Sequence, residues 1–396
     1  MTLLLWFAIV LFAAITISAL AKRTIVSTTA LFLVAGVLLG SGFLGAIRLD
    51  AGSGLVTTLS EVALFTVLFT DGQQVGVREL RNAWRLPGRA LLLGLPLTLV
   101  VMAVLGVWVV GLSWPEALLV AAVLTPTDPV FASAIVGQKA IPYRTRHLLN
   151  VESGLNDGLA LPLVLVFLAV VGDQELHGLE LLGELALGVG LGIAIPVLAR
   201  LLFMLPFVRA TPLYATLTPV ATGLLVFSSA QLTGANLYLA AFSAGITIAS
   251  VAPQTRDAFH ELGEFVSEPV KLLAILVFGA LVTPSVLADV HIGGYVFAVL
   301  VLVLARPVAV LIALLRSELP TGERLTVAWF GPKGFASVLY GLLVLDSGAA
   351  HAPEMFHIIV VAVALSILAH SSTDVPIAQR FSRMEARQEA ADSGST

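Results

Sequence analysis

Two short polar motifs lie inside hydrophobic runs near the middle of the chain. Residues 127–129 read TDP and interrupt one run, and residues 152–157 read ESGLND and lie on the next. Asp128, Glu152 and Asp157 thus put three carboxylates at bilayer depth, which is costly unless a function requires them. Hydroxyl, carbonyl and carboxylate oxygens are the ligands that hard cations take. The two motifs therefore predict a cation site that is shared with a proton.

Two prolines are expected to open the first run. Pro126 and Pro129 remove helical N–H donors and clash with preceding carbonyls, so the backbone between them should unwind. The freed carbonyl oxygens would face a cavity with the Thr127 hydroxyl and the Asp128 carboxylate, and half-helix ends would add partial charges. The competing interpretation is a proline kink capped by Asp128, but a cap at membrane depth would also need polar surroundings.

The second motif sorts its polar residues onto neighbouring faces of one helix. Ser153 and Asp157 are four residues apart and share a face, and Glu152 and Asn156 share the adjoining face. The first face would supply cation ligands and the second polar bracing. A solvated loop is the alternative, but residues 159–171 are almost wholly apolar.

Three further charged residues fall in or beside apolar runs. Arg306 lies in VLVLARPVAVLIALL and needs a carboxylate, for which Glu152 is the best candidate; the alternative is snorkelling to an interface. Lys333 interrupts a later run, where it could neutralise Asp128, neutralise the carbonyl ends of crossed half-helices, or lie at the interface. Asp71 could be an additional cation ligand or a residue at the membrane boundary.

Composition sets the class of protein that must hold these residues. Of 396 residues, 58% are hydrophobic and 12% are charged, and the mean hydropathy is +1.00, whereas a soluble domain carries about 25% charged residues. Runs of about 20 apolar residues recur along the chain, which predicts an all-α polytopic membrane protein. No cysteine is present, which excludes disulfides and thiolate metal sites. His147 and His370 fall near predicted helix ends and are expected at the membrane interface.

We predict about thirteen transmembrane helices. The first apolar segment has no basic region before it, and Lys22 and Arg23 follow it, which favours a membrane helix over a cleaved signal peptide. Residues 251–270 look amphipathic and are expected to lie along the interface. The segments fall near 3–20, 25–44, 54–71, 89–111, 115–137, 147–171, 179–204, 212–231, 235–251, 269–283, 293–315, 323–345 and 355–371.

The distribution of loop charges predicts the orientation. Lysine and arginine follow the odd-numbered segments and are nearly missing from the other loops, where Arg48 is the exception. We expect the protein in the cell inner (plasma) membrane. The positive-inside rule then puts the N-terminus outside and the C-terminus in the cytoplasm. The predicted organisation is a transporter domain over residues 1–371, with core elements near 54–171 and 269–371, and a short cytoplasmic tail over 372–396. The basic residues that carry this argument are Lys22, Arg23, Arg78, Arg81, Arg85, Arg89, Lys139, Arg144, Arg146, Arg200, Arg209, Arg256, Arg316, Arg324, Arg380, Arg383 and Arg387.

Two interrupted segments indicate an internal repeat. Residues 126–129 break the fifth segment, and residues 331–334, which read GPKG, break the twelfth. They are an odd number of segments apart, so the two halves would have inverted topology. Paired interrupted helices point to the binding site of a secondary transporter. No nucleotide-binding loop accompanies them, which argues against an ATP-driven pump.

With these motifs the sequence resembles the monovalent cation:proton antiporter-1 family, the prokaryotic and eukaryotic sodium/proton exchangers. Order, spacing and hydropathy agree over residues 10–370. The resemblance implies a dimerisation domain, a core domain with two crossed broken helices that moves as an elevator, and a homodimer. It also implies electroneutral exchange of a monovalent cation, Na⁺ in the first place, for H⁺.

The resemblance assigns roles to the motif residues. Asp157 would bind either the cation or the proton, with Ser153 and Thr127 as further Na⁺ ligands. Asp128 would act nearby, partly through water, and would be held by Asn156. Burial of Asp157 beside another carboxylate favours its neutral form, so H⁺ and Na⁺ would compete for the same oxygens. Exchange is obligatory if the core moves only when Asp157 is neutralised.

The family also implies a structural ion pair between Glu152 and Arg306. One departure concerns the third segment, where relatives often carry an acidic residue beside Gly-Gly. Here Asp71 lies in FTDGQ, shifted by one position relative to that pattern.

Several alternatives stay open beside the Na⁺/H⁺ antiporter. A K⁺/H⁺ antiporter of the same family would use the same motifs. A cation channel would too, but nothing resembles a carbonyl filter repeat. An intramembrane aspartyl protease would need Asp128 and Asp157 as a dyad, and their flanking residues do not look like the motifs of those enzymes. We therefore expect no enzyme activity, no cofactor besides the transported Na⁺ and H⁺, and no nucleotide or nucleic-acid partner; the lipid bilayer and a second copy are the expected partners.

Overall fold

The fold is described from a computed structural model of the chain. It describes residues 2–21, 28–49, 53–74, 84–128, 141–172, 178–205, 207–208 and 210–393. Pro129 of the first motif lies outside these residues, as do Lys22, Arg23, Arg78, Arg81, Lys139 and Arg209 of the loop-charge argument. Within the described ranges the secondary structure is helical, with no strand.

Sixteen helices can be labelled along the described residues. α4 and α13 each contain π-helical turns, at Ala90–Gly94, Gly106–Val110 and Val301–Ala305. The helices are α1 (Thr2–Ala21), α2 (Thr28–Leu39), α3 (Gly54–Gln74), α4 (Arg85–Val110), α5 (Trp114–Leu124), α6 (Tyr143–Val171), α7 (Gly178–Phe203), α8 (Pro212–Thr216), α9 (Thr218–Thr233), α10 (Leu237–Val251), α11 (Pro253–Leu281), α12 (Pro284–Asp289), α13 (Ile292–Ala313), α14 (Thr321–Trp329), α15 (Phe335–Asp346) and α16 (Ala352–Ser393).

The prediction of an all-α polytopic membrane protein is confirmed. Each of the thirteen predicted segments overlaps a helix of the described residues. Seven of those helices are long and apolar enough to cross a membrane, and five shorter apolar helices accompany them. The short ones include α5 and α15, which flank the two predicted interruptions.

Two segments form helices that continue into neighbouring apolar segments. Of residues 251–270, expected along the interface, 253–270 belong to α11, which runs without a break into the tenth apolar segment. Pro269 is inside that helix; neighbouring helices make such prolines tolerable in membranes. The tail from residue 372 continues α16 as far as Ser393.

Glycine contacts repeat at the offset of seven segments. A shift of seven segments relates α2 to α10 and α3 to α11. Since α2 packs on α11 and α3 packs on α10, the two contacts are equivalent in the repeat. A Cβ on Gly36 would lie 2.9 Å from the Cα of Gly279, and a Cβ on Gly72 would lie 3.2 Å from the Cα of Gly245. Side chains at these positions would force the helices apart, which is the usual reason for small residues between membrane helices. The two halves of the chain therefore use the same device at matching positions.

Two ion pairs follow the same offset. Arg144, at the start of α6, binds Glu323, in the first turn of α14, with Nη2 2.7 Å and Nε 3.0 Å from the carboxylate. His351, just before α16, contacts Glu116, in the first turn of α5, through its Nδ1. His351 comes 207 residues after Arg144, and Glu116 comes 207 residues before Glu323. Each pair joins a half-helix to a full-length helix of the other repeat.

We predict that the two pairs respond differently to pH. The hydrogen bond to the Glu116 carboxylate raises the pKa of His351 above its ordinary value. A pair with a raised His pKa stabilises the fold fully below about pH 6.5 and loses that contribution as the pH rises through the folded-state pKa. The guanidinium of Arg144 stays charged throughout. His351→Gln should therefore lower the midpoint of thermal unfolding at about pH 6 but not at about pH 9.

The matched variant Arg144→Gln should lower the midpoint at both pH values. Its loss should be the larger one because Glu323 is only 5% exposed and would keep a buried charge without its partner. Thermal unfolding in detergent, followed by intrinsic fluorescence, measures both. An equal loss at the two pH values for His351→Gln would contradict the assignment.

Candidate cation site

The two helix breaks contact each other directly. α5 ends at Leu124, and α14 and α15 are separated by residues 330–334. The backbone N–H of Asp128 donates to the Pro332 carbonyl at 3.0 Å. The Phe335 N–H, at the start of α15, donates to Asp128 Oδ2 at 3.2 Å. Asp128 therefore belongs to one break and caps the half-helix after the other, where a carboxylate is favoured by the helix dipole.

Thr127 connects the first break to α6. Its Oγ1 accepts a hydrogen bond from Asn156 Nδ2 at 2.7 Å and lies 3.2 Å from Ser153 Oγ. All three side chains are buried. The family resemblance has Asn156 holding Asp128, whereas this hydrogen bond of Asn156 goes to Thr127. The ESGLND motif therefore contacts the first break through Thr127, the residue before Asp128.

Asp157 follows Asn156 on α6, and one of its carboxylate oxygens has no hydrogen-bond partner among the described residues. The residue is only 4% exposed, and its carboxylate interacts electrostatically with Asp71 and Asp128. Its backbone carbonyl accepts the Tyr340 hydroxyl at 2.8 Å. Among the described residues, Asp157 Oδ1 and Asn156 Oδ1 are buried without a hydrogen-bond partner.

These atoms form a donor set that suits a desolvated monovalent cation. It comprises hydroxyl, amide and carboxylate oxygens, the ligand types that hard cations take. Buried oxygens without a partner are costly, and each needs a reason. A cation or proton arriving at Asp157 would satisfy them. The described residues contain no group of three or more His, Asp or Glu side chains arranged for a transition metal.

Glu152 and Arg306 form a bidentate pair in the interior. Arg306 Nη1 and Nη2 lie 2.7 and 3.1 Å from the two carboxylate oxygens, and Nη2 also donates to the Phe330 carbonyl at 3.2 Å. Both side chains are buried, so Arg306 does not snorkel to an interface. The π-helical turn ends at the residue before Arg306. The guanidinium thus ties α6 to the second break.

Lys333 lies in the second break and is buried, not interfacial. Only 1% of the residue is exposed, and its Nζ donates to the Thr125 carbonyl at 3.4 Å. Of the alternatives open from the sequence, this matches neutralisation of a half-helix carbonyl end, where cations are favoured. Its backbone N–H donates to Ser366 Oγ on α16 at 2.7 Å.

Asp71 is also an interior residue and not a boundary residue. It is 8% exposed, and its Oδ1 lies 4.0 Å from Lys271 Nζ. Asp71 interacts electrostatically with Asp128 as well. The next residue, Gly72, lies close against the backbone of α10, so the end of α3 is packed inside the bundle.

His370 is buried in the protein, contrary to the prediction. It was predicted at the interface, yet it is 2% exposed. Its Nε2 lies 3.0 Å from the Trp329 carbonyl and its Nδ1 2.8 Å from the Ser366 carbonyl. The physical reason is that α16 crosses the second break, so a polar side chain on this helix meets the Trp329 carbonyl at the end of α14, which also accepts the Gly331 N–H at 2.9 Å.

Several residues of the site had little or no signal in the sequence. Tyr340 lies in an apolar run and reads as an ordinary core residue. Lys271 lies just after SEPV and is hidden by the amphipathic pattern before it. A lysine that begins a membrane span without an aspartate nearby in sequence is the one signal that could have marked it.

The fold and the site together define a helical membrane protein in which two broken helices meet at a buried polar cluster. The family described as sodium/hydrogen exchanger, transmembrane, matches residues 7–380. The chain therefore belongs to the sodium/hydrogen exchanger family.

Individual relatives agree with this assignment. The K(+)/H(+) antiporter NhaP2 of Shewanella sp. (strain MR-4) is 25% identical over 381 residues, which cover 94% of this chain and 65% of that protein. The K(+)/H(+) antiporter NhaP of Alkalimonas amylolytica is 26% identical over 368 residues, which cover 91% of this chain and 63% of that protein. The chain thus spans less than two thirds of these relatives.

A solved structure shares the fold. The sodium proton antiporter MjNhaP1 from Methanocaldococcus jannaschii superposes with a TM-score of 0.79 at 18% identity, and the match covers 96% of this chain and 99% of that one. At this identity the match establishes the architecture alone.

We predict that Gly331→Ala breaks the buried ion pair. A Cβ at Gly331 would lie 1.6 Å from Arg306 Nε, so the guanidinium would have to leave Glu152. Loss of one partner of a buried pair costs about 3–5 kcal/mol, so the variant should unfold at a clearly lower temperature and give a lower yield.

Gly322→Ala on α14 is the matched control because nothing lies within 4 Å of its Cβ position. It should change stability by no more than about 0.5 kcal/mol. Thermal unfolding in detergent compares the two variants. Equal midpoints would mean that the Arg306 position does not depend on the missing side chain.

Proposed function

We propose that the protein exchanges a monovalent cation for H⁺ across the plasma membrane by alternating access. The observation that carries this proposal is the buried Asp157 oxygen without a partner, beside the hydroxyls of Thr127 and Ser153, at the contact of two broken helices. A single carboxylate in a dry site can hold either a proton or a cation. Binding one excludes the other, so each ion that enters displaces its rival.

The geometry and the family resemblance support the following residue roles. Asp157 is the exchanging group, Thr127 and Ser153 are ligands, and Asn156 orients Thr127 while offering its own Oδ1. Asp128 acts beside them and through the α15 cap.

The charged residues around this group have supporting roles. Asp71 contributes negative charge from α3, and Lys333 neutralises the carbonyl end of α5. The Glu152–Arg306 pair holds α6 against the second break. No cofactor beyond the transported ions enters this mechanism.

Na⁺ is the cation we propose, with one-for-one and therefore electroneutral stoichiometry, as the Asn-Asp motif suggests. The names of the two bacterial relatives favour K⁺ as the second candidate. A channel is disfavoured because conduction needs a continuous polar path, whereas Asp157 and its neighbours are packed in the interior. The chain is short of its relatives' full length, so their ion selectivity is not carried over.

The protein is further proposed to work as a homodimer with its N-terminus outside and its C-terminus in the cytoplasm. The core, formed by elements near 54–171 and 269–371, would move relative to a dimerisation domain. The regular alternation of basic loops supports the orientation, and the family supports the dimer. Reporter fusions at each terminus test the orientation.

Exchange is tested in proteoliposomes with an imposed pH gradient and a pH-sensitive dye. Addition of Na⁺, K⁺ or Li⁺ in separate titrations should dissipate the gradient, with saturation and with Na⁺ effective at the lowest concentration. An imposed membrane potential should leave the rate unchanged. Dissipation by K⁺ alone would replace Na⁺ by K⁺, and a steep dependence on potential would overturn the one-for-one stoichiometry.

We predict that Asp157→Asn abolishes cation-dependent dissipation, because the amide binds neither ion as a carboxylate does. Asp289→Asn is the control, since Asp289 belongs to α12 and its side chain is largely exposed; this variant should retain the wild-type rate. Wild-type exchange by a well-folded Asp157→Asn protein would show that another group carries the ions.

A further inference from the structure

Lys271 places a fixed positive charge beside the carboxylates of the site. It lies on α11, and its Nζ is 4.0 Å from Asp71 Oδ1, with both side chains largely buried. The same ammonium interacts electrostatically with Asp128 and Asp157, and with Glu268 of its own helix. Lys271 therefore faces acidic groups on α3, on the first break and on α6.

The other two buried cations of the site have different partners. Arg306 is held by both oxygens of Glu152, and Lys333 donates to the Thr125 carbonyl. Lys271 sits at the outer limit of ion-pair distance from Asp71. Its ammonium thus acts electrostatically on several carboxylates, and its ion pair with Asp71 is a long one. A lysine at bilayer depth is costly and calls for a functional explanation.

We propose that Lys271 is a tethered competitor of the transported ions, which weakens the binding of both H⁺ and the cation at Asp157 and so sets the pH range of exchange. The inference rests on the proposed function and deepens it. Both ligands carry one positive charge, so a fixed charge nearby disfavours each of them by the same electrostatic amount.

This equality gives the proposal a distinctive signature. When H⁺ and the cation compete for one group, the apparent KM for the cation in acid depends on the ratio of the two affinities. In alkaline solution it depends on the cation affinity alone. Removing Lys271 strengthens both affinities equally, so the acid KM should stay constant while the alkaline KM falls. The pH at which KM begins to rise should move upward by the same factor.

The test is the KM for Na⁺ of Lys271→Gln as a function of pH in proteoliposomes. We expect an alkaline KM about tenfold lower than wild type, which corresponds to about 1.4 kcal/mol, with an unchanged KM in acid and with the pH at which KM begins to rise displaced upward by about one unit. Lys271→Arg keeps the charge and should follow the wild-type curve. An unchanged alkaline KM in Lys271→Gln, or an equal shift at every pH, would overturn the proposal.

A second comparison protects the test against poor folding. Asp71→Asn removes the partner carboxylate, and Asp71→Asn with Lys271→Gln removes both charges and leaves no uncompensated lysine. Compared with Asp71→Asn alone, the double variant should have a lower KM in alkaline solution and the same KM in acid. Equal curves for these two variants would overturn the proposal.

Failure of the inference can be told from failure of the proposed function. If wild-type protein shows no cation-dependent dissipation of the pH gradient, the proposed exchange is wrong. If the wild type exchanges Na⁺ for H⁺ but loss of Lys271 leaves KM unchanged at all pH values, Lys271 is only a structural partner of Asp71.

Discussion

The cost of an uncompensated charge in a low-dielectric interior governs this structure. Every ionised group at membrane depth must be paired or must bind an ion, because isolated burial is expensive. Arg306 meets this requirement through Glu152, and Lys333 through a helix carbonyl. Asp157 meets it only in part, since one of its oxygens has no partner among the described residues. The fold thus pairs Arg306 and Lys333 locally, whereas Asp157 keeps an oxygen at which we propose that the transported ion binds.

The inverted repeat explains how one chain builds such a place. Two half-helices end at the same point, so partial charges of opposite sign and free backbone groups meet there. The Asp128 carboxylate caps the helix that begins after the second break, and Lys333 serves the helix that ends at the first. The same repeat also appears outside the two breaks, in paired glycine contacts and in two ion pairs at matching offsets. The pairs differ in one respect, since an arginine in one corresponds to a histidine in the other.

The sequence predicts those parts of the site whose energetic cost can be recognised without the tertiary structure. Asp128, Glu152, Asp157 and Arg306 could be found because charge inside an apolar run needs explanation. The breaks could be found because proline and glycine interrupt helices. The helix bundle follows from apolar runs of membrane length, and the structure confirms that part.

Other parts depend on tertiary packing and could not be predicted. The sequence leaves Asp71 open between a cation ligand and a boundary residue until the glycine contact of α3 is known, and His370 is predicted at the interface until α16 is seen to cross the second break. Tyr340 is indistinguishable from a core residue in sequence. Lys271 is the clearest case, because its proposed role depends on the carboxylates of Asp71, Asp128 and Asp157, which lie on three other parts of the chain.

The central claim is that H⁺ and a cation exclude each other at Asp157. Proton release measures this directly: Na⁺ is added to purified protein in weak buffer near neutral pH, and the released protons are compared with the bound cations. The account predicts about one proton for each bound cation, and no release from Asp157→Asn. Cation binding without proton release by the wild type, or undiminished release by the variant, would contradict it.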